Sequence, residues 1–365
     1  MFMLLILSLC SYIFLGLLLR GNVREMPAGD ESWEPSVSVI ISARNEEASL
    51  PACLASLVSL DYPEDKLEIV VVNDASTDHT AQIIDSFQRA HPTLQRIDLA
   101  FDEKEKAGKA GALLKGIDKS SGEILFFTDA DCLVSRDWIR EMLKGFRPEI
   151  GVVGGFTLIG QAQSLFAQMQ ALDWHFLLTI ASAASHLNKP ISWVGNNLAL
   201  RRSAYEQTGG YRRLSDSFVE DFALIHAIDR QTHWRCRFYA SPKSIVRTLP
   251  AQTVARLYAQ RKRWSTGIVD ARPFCWWIMI TVWALHVSLL VSLFCSAALA
   301  IVTLLIKCGV DIFLFRASGV LLGESRSASK VIIYEPYYIL SSLLLPISML
   351  FDRRVTWKGA KIKNA

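Results

Sequence analysis

Asp129 and Asp131 stand one residue apart in ILFFTDADC (124–132), directly after four apolar residues. Carboxylates that close repel one another, and each is costly to desolvate without a positive partner. Oxygen donors suit a hard divalent ion. Mg2+ takes one or two protein carboxylates and completes its shell with water and substrate phosphates, and Mn2+ accepts the same set. The pair therefore points to a metal that arrives with a diphosphate. A helix cap ahead of SRDWIREMLKGF (135–146) is the plainer alternative for Asp131.

Other residues gain meaning beside that pair. Asp74, in NDAST (73–77), has the type and place of a ribose or base contact, or of a turn aspartate. Lys109, in KAGKAGALLKG (106–116), can neutralise phosphate or simply face water. Glu220 and Asp221 open EDFALIHAI (220–228), where an acid also favours a helix N-terminus. Gln260, Arg263 and Trp264 fall at i, i+3 and i+4, one face of a helix. Arginine there suits phosphate, and tryptophan stacks on sugars or anchors at headgroup depth. Neither GxGxxG nor GxxxxGK[ST] occurs, which disfavours a dinucleotide oxidoreductase or a P-loop NTPase.

The elements that must position these residues alternate. VSVIIS (37–42), LEIVVV (67–72) and EILFF (123–127) read as strands buried on both faces. EEASLPACLASLVSL (46–60), STDHTAQIIDSFQRA (76–90) and AGALLKGI (110–117) carry helical spacing between them. Strand and helix in alternation predict a doubly wound α/β domain, with ligands beyond the carboxyl ends of its strands. Ser42 to Glu46, Asn73-Asp74 and Asp129/Asp131 follow three strands, so one sheet edge collects the acids.

Composition bounds the rest. Of 365 residues 51% are hydrophobic and only 20% charged, and the excess lies at the two ends. Residues 1–19, 274–306 and 331–351 are each long enough to cross a bilayer core. The first stretch has no basic residue before it and no small-x-small site close after it, so it reads as an uncleaved anchor. Arg20 and Arg24 follow it, which predicts an outer N-terminus and a cytoplasmic α/β domain in an inner or plasma membrane. The basic tail, 352–365, predicts an even number of crossings after residue 274, two at the simplest. Residues 307–316 then lie along the interface, or the long stretch folds as a hairpin. Seven cysteines without a CxxC pair give no disulfide framework or zinc site. A net charge of +4 without a basic, aromatic-interleaved stripe gives little support to nucleic-acid binding.

The motifs, taken in order, resemble those of family 2 glycosyltransferases, membrane-bound enzymes with the GT-A nucleotide-sugar fold. VSVIISARNEE, VVVNDASTDHT, KAGKAGALLKGI, TDAD, SWVGNNLALRRSAYEQTGGY, SFVEDFAL and LYAQRKRWSTG match the family's sequence of motifs across about residues 36–270, although Ser42 stands where proline is usual. The resemblance implies a GT-A domain over 36–270 with an anchor at 1–20, membrane or interfacial helices at 274–351 and a tail at 352–365. It implies that Asp74, helped by Ala43 and Glu46, holds the nucleoside, and that Lys109 belongs to the basic substrate loop. Asp129 and Asp131 would ligate Mg2+ or Mn2+, Asp131 most directly. Asp221, beside Glu220, would be the general base, and Gln260, Arg263 and Trp264 would close over pyrophosphate and acceptor.

One base without a protein nucleophile predicts inversion at the anomeric carbon. The implied donor is a nucleoside-diphosphate sugar, a UDP-sugar first. The Q-x-x-R-W residues lie ten residues before an apolar stretch, which implies a membrane-associated acceptor, a lipid or a glycan. Few crossings favour single transfer to a lipid over processive polysaccharide synthesis. A silent scaffold is a third reading, disfavoured by the intact acids. GQAQSLFAQMQALDWHFLLTIASAASHLN (160–188) reads as a core helix, or else as an interfacial platform for a lipid.

Overall fold

The computed structural model describes residues 2–106, 108–191, 193–214, 219–266, 272–324, 327–351, 356–357 and 360–361. The chain begins α1 (Phe2–Arg20), β1 (Val37–Ala43), α2 (Leu50–Val58), β2 (Leu67–Asp74), α3 (Thr80–Ala90), β3 (Leu94–Leu99), α4 (Gly108–Asp118), β4 (Ile124–Phe127) and α5 (Trp138–Leu143). It continues β5 (Ile150–Gly154), β6 (Thr157–Ile159), α6 (Leu165–His186), β7 (Leu198–Arg201), α7 (Arg202–Gln207), α8 (Gly210–Arg213), α9 (Glu220–Gln231), β8 (Arg235–Phe238) and β9 (Val246–Thr248). Last come α10 (Val254–Thr266), α11 (Pro273–Cys295), α12 (Ala297–Leu322), α13 (Ala328–Phe351), β10 (Thr356–Trp357) and β11 (Ala360–Lys361). Apart from that final strand pair, the basic tail lies outside the described residues.

The described chain divides into an α/β unit, residues 25–161 and 192–249, and a helical unit, residues 1–24, 162–191 and 250–365. These boundaries differ from the contiguous 36–270 expected of one domain. The α6 segment and the Q-x-x-R-W helix α10 group with the membrane helices, because α6 packs on α12 and α13 and α10 packs on α13. Burial covers α6 nearly end to end within that unit, so core packing describes it.

In the α/β unit a seven-stranded sheet has the order β3-β2-β1-β4-β7-β5-β8. Strands β3, β2, β1 and β4 run parallel, whereas β7 is antiparallel to both β4 and β5. The mixed, doubly wound sheet is the expected one. Its central strands bury side chains on both faces: Val39, Ile41 and Val71 enter one core, Val70 and Val72 the other. Full burial of each such side chain contributes about 1.5–3 kcal/mol. Helix α4 lies so close that a Cβ at Gly116 would come within 2.7 Å of the Ile40 side chain. The β3 strand, LQRIDL, is absent from the sequence expectation. It is an edge strand whose Gln95, Arg96 and Asp98 break the apolar run, as edge strands do to discourage further pairing.

The helical unit holds four helices long and apolar enough to cross a membrane: Phe2–Arg20, Pro273–Cys295, Ala297–Leu322 and Ala328–Ser348. Where the sequence suggests two crossings after residue 274, three such helices stand, and residues 307–316 form the middle of one of them. Two of the charges that argued against a span there, Lys307 and Asp311, are paired inside the bundle, while the third, Arg316, is exposed. Lys307 Nζ donates to Asp311 Oδ2 at 2.7 Å and to Glu335 of α13, and the Tyr12 hydroxyl of α1 donates to Asp311. Lys307, Asp311 and Glu335 are all buried, as paired intramembrane charges are.

Candidate active site

The parallel order β2-β1-β4 sets three strand ends side by side on one edge of the sheet. The loops after β1 and β2 are joined. Asn45 Oδ1 accepts from the Thr77 amide at 2.8 Å, the Asn45 amide donates to Ser76 Oγ at 3.2 Å, and the Glu46 amide donates to Thr80 Oγ1 at 2.8 Å. Asn45 (φ 54°) and Ala75 (φ 51°) both take left-handed backbone, a local strain the loop pairing sustains. Ala43 is buried at the end of β1, and Glu46 Oε2 accepts from Ser49 Oγ at 2.8 Å. Asp74 is fully buried at the end of β2, its carboxylate paired with the Lys104 ammonium.

After β4 the chain turns tightly, the Cys132 amide donating to the Asp129 carbonyl at 3.0 Å. Donor atoms of Asp129, Asp131 and Cys132 all lie within 4.8 Å of one another. The Cys132 thiol is buried and burial pushes it well up, so it stays neutral, leaving the two carboxylates as the hard donors. Burial, then the charges of Asp129 and Glu46, push the Asp131 carboxyl up to about 6. That electrostatic demand is the one a divalent cation answers, so the donor set fits Mg2+ or Mn2+. Asp131 accepts from the Cys132 thiol at 3.5 Å and caps no helix.

Lys109, near the start of α4, ties this strand end to the start of α9. Its ammonium pairs with Asp129 Oδ1 and lies 3.7 Å from Glu220 Oε1. Burial works to lower the lysine, but Asp129, Glu220 and Asp221 more than offset it and hold it above the usual range. Asp221 is aimed by main chain: Oδ2 accepts from the Gly195 amide at 2.5 Å and Oδ1 from the Phe222 amide at 2.8 Å. A Cβ at position 195 would stand 2.7 Å from Asp221 Oδ2, so only glycine permits this approach. Next to it, Asn197 is wholly structural. It accepts from Trp138 Nε1 and donates to the Phe156 and Ser244 carbonyls.

Thus Ala43, Glu46, Asp74, Lys109, Asp129, Asp131, Glu220 and Asp221 all belong to the α/β unit, and Lys109 links two of the acids. Gln260, Arg263 and Trp264 belong to α10 of the helical unit. Two participants escape sequence reasoning. Lys104 looks like any lysine of a charged loop, and Gly195 meets Asp221 from 26 positions away; the Gly-Asn-Asn run was the only signal.

The sequence matches the family described as Glycosyl transferase family 21 over residues 1–364. A poly-beta-1,6-N-acetyl-D-glucosamine synthase of Staphylococcus epidermidis is 29% identical over 238 residues, 63% of this chain and 54% of that protein. The Bacillus subtilis (strain 168) protein named "Probable glycosyltransferase YdaM" is 29% identical over 252 residues, 68% of this chain and 57% of its own. The chain therefore spans about half the length of the curated relatives it matches. Among solved structures, a mannosyltransferase from Pyrobaculum calidifontis in complex with GDP-Man and Mn2+ superposes with a TM-score of 0.61 at 22% identity. That superposition covers 92% of this chain and 98% of the mannosyltransferase, a likeness of fold. With strand ends, acids and motifs in the order found, the GT-A chain belongs to glycosyl transferase family 21, of the family 2 type that its motifs resemble.

Proposed function

We propose that the chain transfers a sugar, with inversion, from a nucleoside-diphosphate sugar to a hydroxyl of a membrane-associated lipid. The observation that carries this reading is the Lys109 bridge, whose ammonium pairs with Asp129, a candidate metal ligand, and lies 3.7 Å from Glu220, the neighbour of the candidate base Asp221. Asp129 and Asp131 would hold Mg2+ or Mn2+, which supplies Lewis-acid stabilisation of the leaving diphosphate when bound. Lys109 offers a second positive charge to the same phosphates. Asp221, aimed by the Gly195 amide, takes the proton of the incoming hydroxyl, and Glu220 beside it keeps the local field negative. Asp74 with Ala43 and Glu46 takes the nucleoside, with uridine as the first candidate. Gln260, Arg263 and Trp264 are assigned to pyrophosphate and acceptor on the strength of their motif and helical spacing. Arg20 and Arg24 after α1 favour a cytoplasmic α/β unit.

A second reading has its own support. The relatives named as poly-beta-1,6-N-acetyl-D-glucosamine synthases make processive synthesis the alternative. One experiment separates the readings. The purified chain in lipid is given a panel of labelled nucleotide sugars with Mn2+, Mg2+ or EDTA. A discrete glycolipid formed only with metal supports single transfer; a polymer retained at the origin supports the alternative. Product formed equally in EDTA would refute the metal assignment.

A further inference from the structure

Within the helical unit, the aromatic residue of the Q-x-x-R-W motif is held by groups outside that motif. The Arg261 guanidinium pairs with the Asp173 carboxylate of α6 and lies 4.6 Å from the centroid of the Trp264 ring. Trp174, the neighbour of Asp173, meets the same indole edge-on, with centroids 5.2 Å apart and planes at 72°. The second Asp173 oxygen, Oδ1, accepts a 2.7 Å hydrogen bond from the Tyr334 hydroxyl of α13. Tyr337, one turn further on, hydrogen-bonds Arg261. The Asp173 and Arg261 side chains keep only 9% and 14% of their exposure. An ion pair so little hydrated attracts strongly, and a guanidinium over an indole face adds its own attraction.

We propose that Asp173 and Tyr334 are positioning residues for sugar transfer: acting through Arg261, they fix the plane of the Trp264 indole. This rests on the assignment of Trp264 to the acceptor. A ring that receives an acceptor works in one orientation, and an indole free to turn about its two side-chain torsions presents several. Losing the clamp therefore affects the transfer of sugar to lipid and spares the affinity for nucleotide.

The test uses the full chain in lipid nanodiscs, labelled with fluorotryptophan, with the Trp264 fluorine resonance identified by its loss in Trp264→Phe. The probes are UDP with Mn2+ for binding, and the donor chosen by the panel with a polar lipid extract for transfer. In Asp173→Asn and Tyr334→Phe the Trp264 resonance moves or broadens. Glycolipid formation falls about tenfold while the UDP dissociation constant stays within about twofold. Asp173→Glu, which keeps the charge, recovers part of both signals. An unmoved resonance overturns the proposal, and so does a moved resonance with undiminished transfer, or UDP affinity lost in step with transfer. A wild-type chain that glycosylates nothing, while its Trp264 resonance still answers to Asp173, would instead sink the functional reading and the transfer role with it.

Discussion

Lys109 and Lys307 each hold two carboxylates, one set in the α/β unit and one in the helical unit. Lys109 meets Asp129 and Glu220 where a strand ends, and the Asp129 side chain keeps 34% of its exposure. Lys307 meets Asp311 and Glu335 inside a helix bundle, with all three side chains at 2% or less. The chemistry of the two clusters is nearly the same. Their surroundings are not. At the strand end a phosphate or a cation can exchange with the lysine, because Asp129 is open to water. In the bundle no such exchange partner exists, and the ion pairs stitch α12 to α13. Access to solvent, more than composition, separates a cluster open to exchange from one that holds helices together.

The largest effect that would sharpen this contrast is catalytic. Asp221→Asn lowers turnover by about 10²–10⁴-fold, while nucleotide binding and thermal midpoint stay as in wild type. Unchanged turnover removes the base assignment. Next, Lys307→Met strands two buried carboxylates and costs about 3–5 kcal/mol in unfolding experiments on the reconstituted chain. The triple variant Lys307→Met, Asp311→Leu, Glu335→Leu regains most of that loss; a stable single variant would erase the contrast. Lys109→Met reverses the balance. Transfer falls about 10²-fold, but the loss of stability is smaller than for Lys307→Met, since Asp129, which keeps 34% of its exposure, can hydrate.

The smallest effect is the pH response of the open cluster. The Asp131 carboxyl sits at about 6 against an ordinary value of 3.8, so the fold favours its protonated form. Its contribution to stability is complete below pH 3.8 and is lost as pH rises through about 6. The metal-free chain therefore melts at lower temperature as pH climbs through that window, and Mn2+ or Mg2+ restores the midpoint most above it. Metal affinity, measured by titration, weakens as pH falls below about 6 because protons compete for the same oxygen. A flat response would show that Asp131 already has a counter-charge.

Much of this was legible in the chain itself. Short, mainly apolar runs announce β1, β2 and β4, because strands buried on both faces need no polar alternation. The acids at their ends follow at once. The edge strand β3 was hidden by its own charges. The third C-terminal apolar helix was hidden likewise: Lys307 and Asp311 read as interfacial until Glu335 and Tyr12 come to cover them. Asp173 gave no sign of its role, since its partners Arg261 and Tyr334 are distant in sequence. Local periodicity reports which face a residue occupies, whereas a long-range ion pair leaves no periodic trace.

The donor that aims Asp221 is the peptide amide of Gly195, an atom that no side-chain replacement can remove. Half-buried Val194 beside it can thus change in size or polarity without removing the amide that orients Asp221. At 195 itself any side chain disturbs it, since a Cβ there would stand 2.7 Å from Asp221 Oδ2. A carboxylate held by main chain in this way keeps its orientation while side chains around it vary.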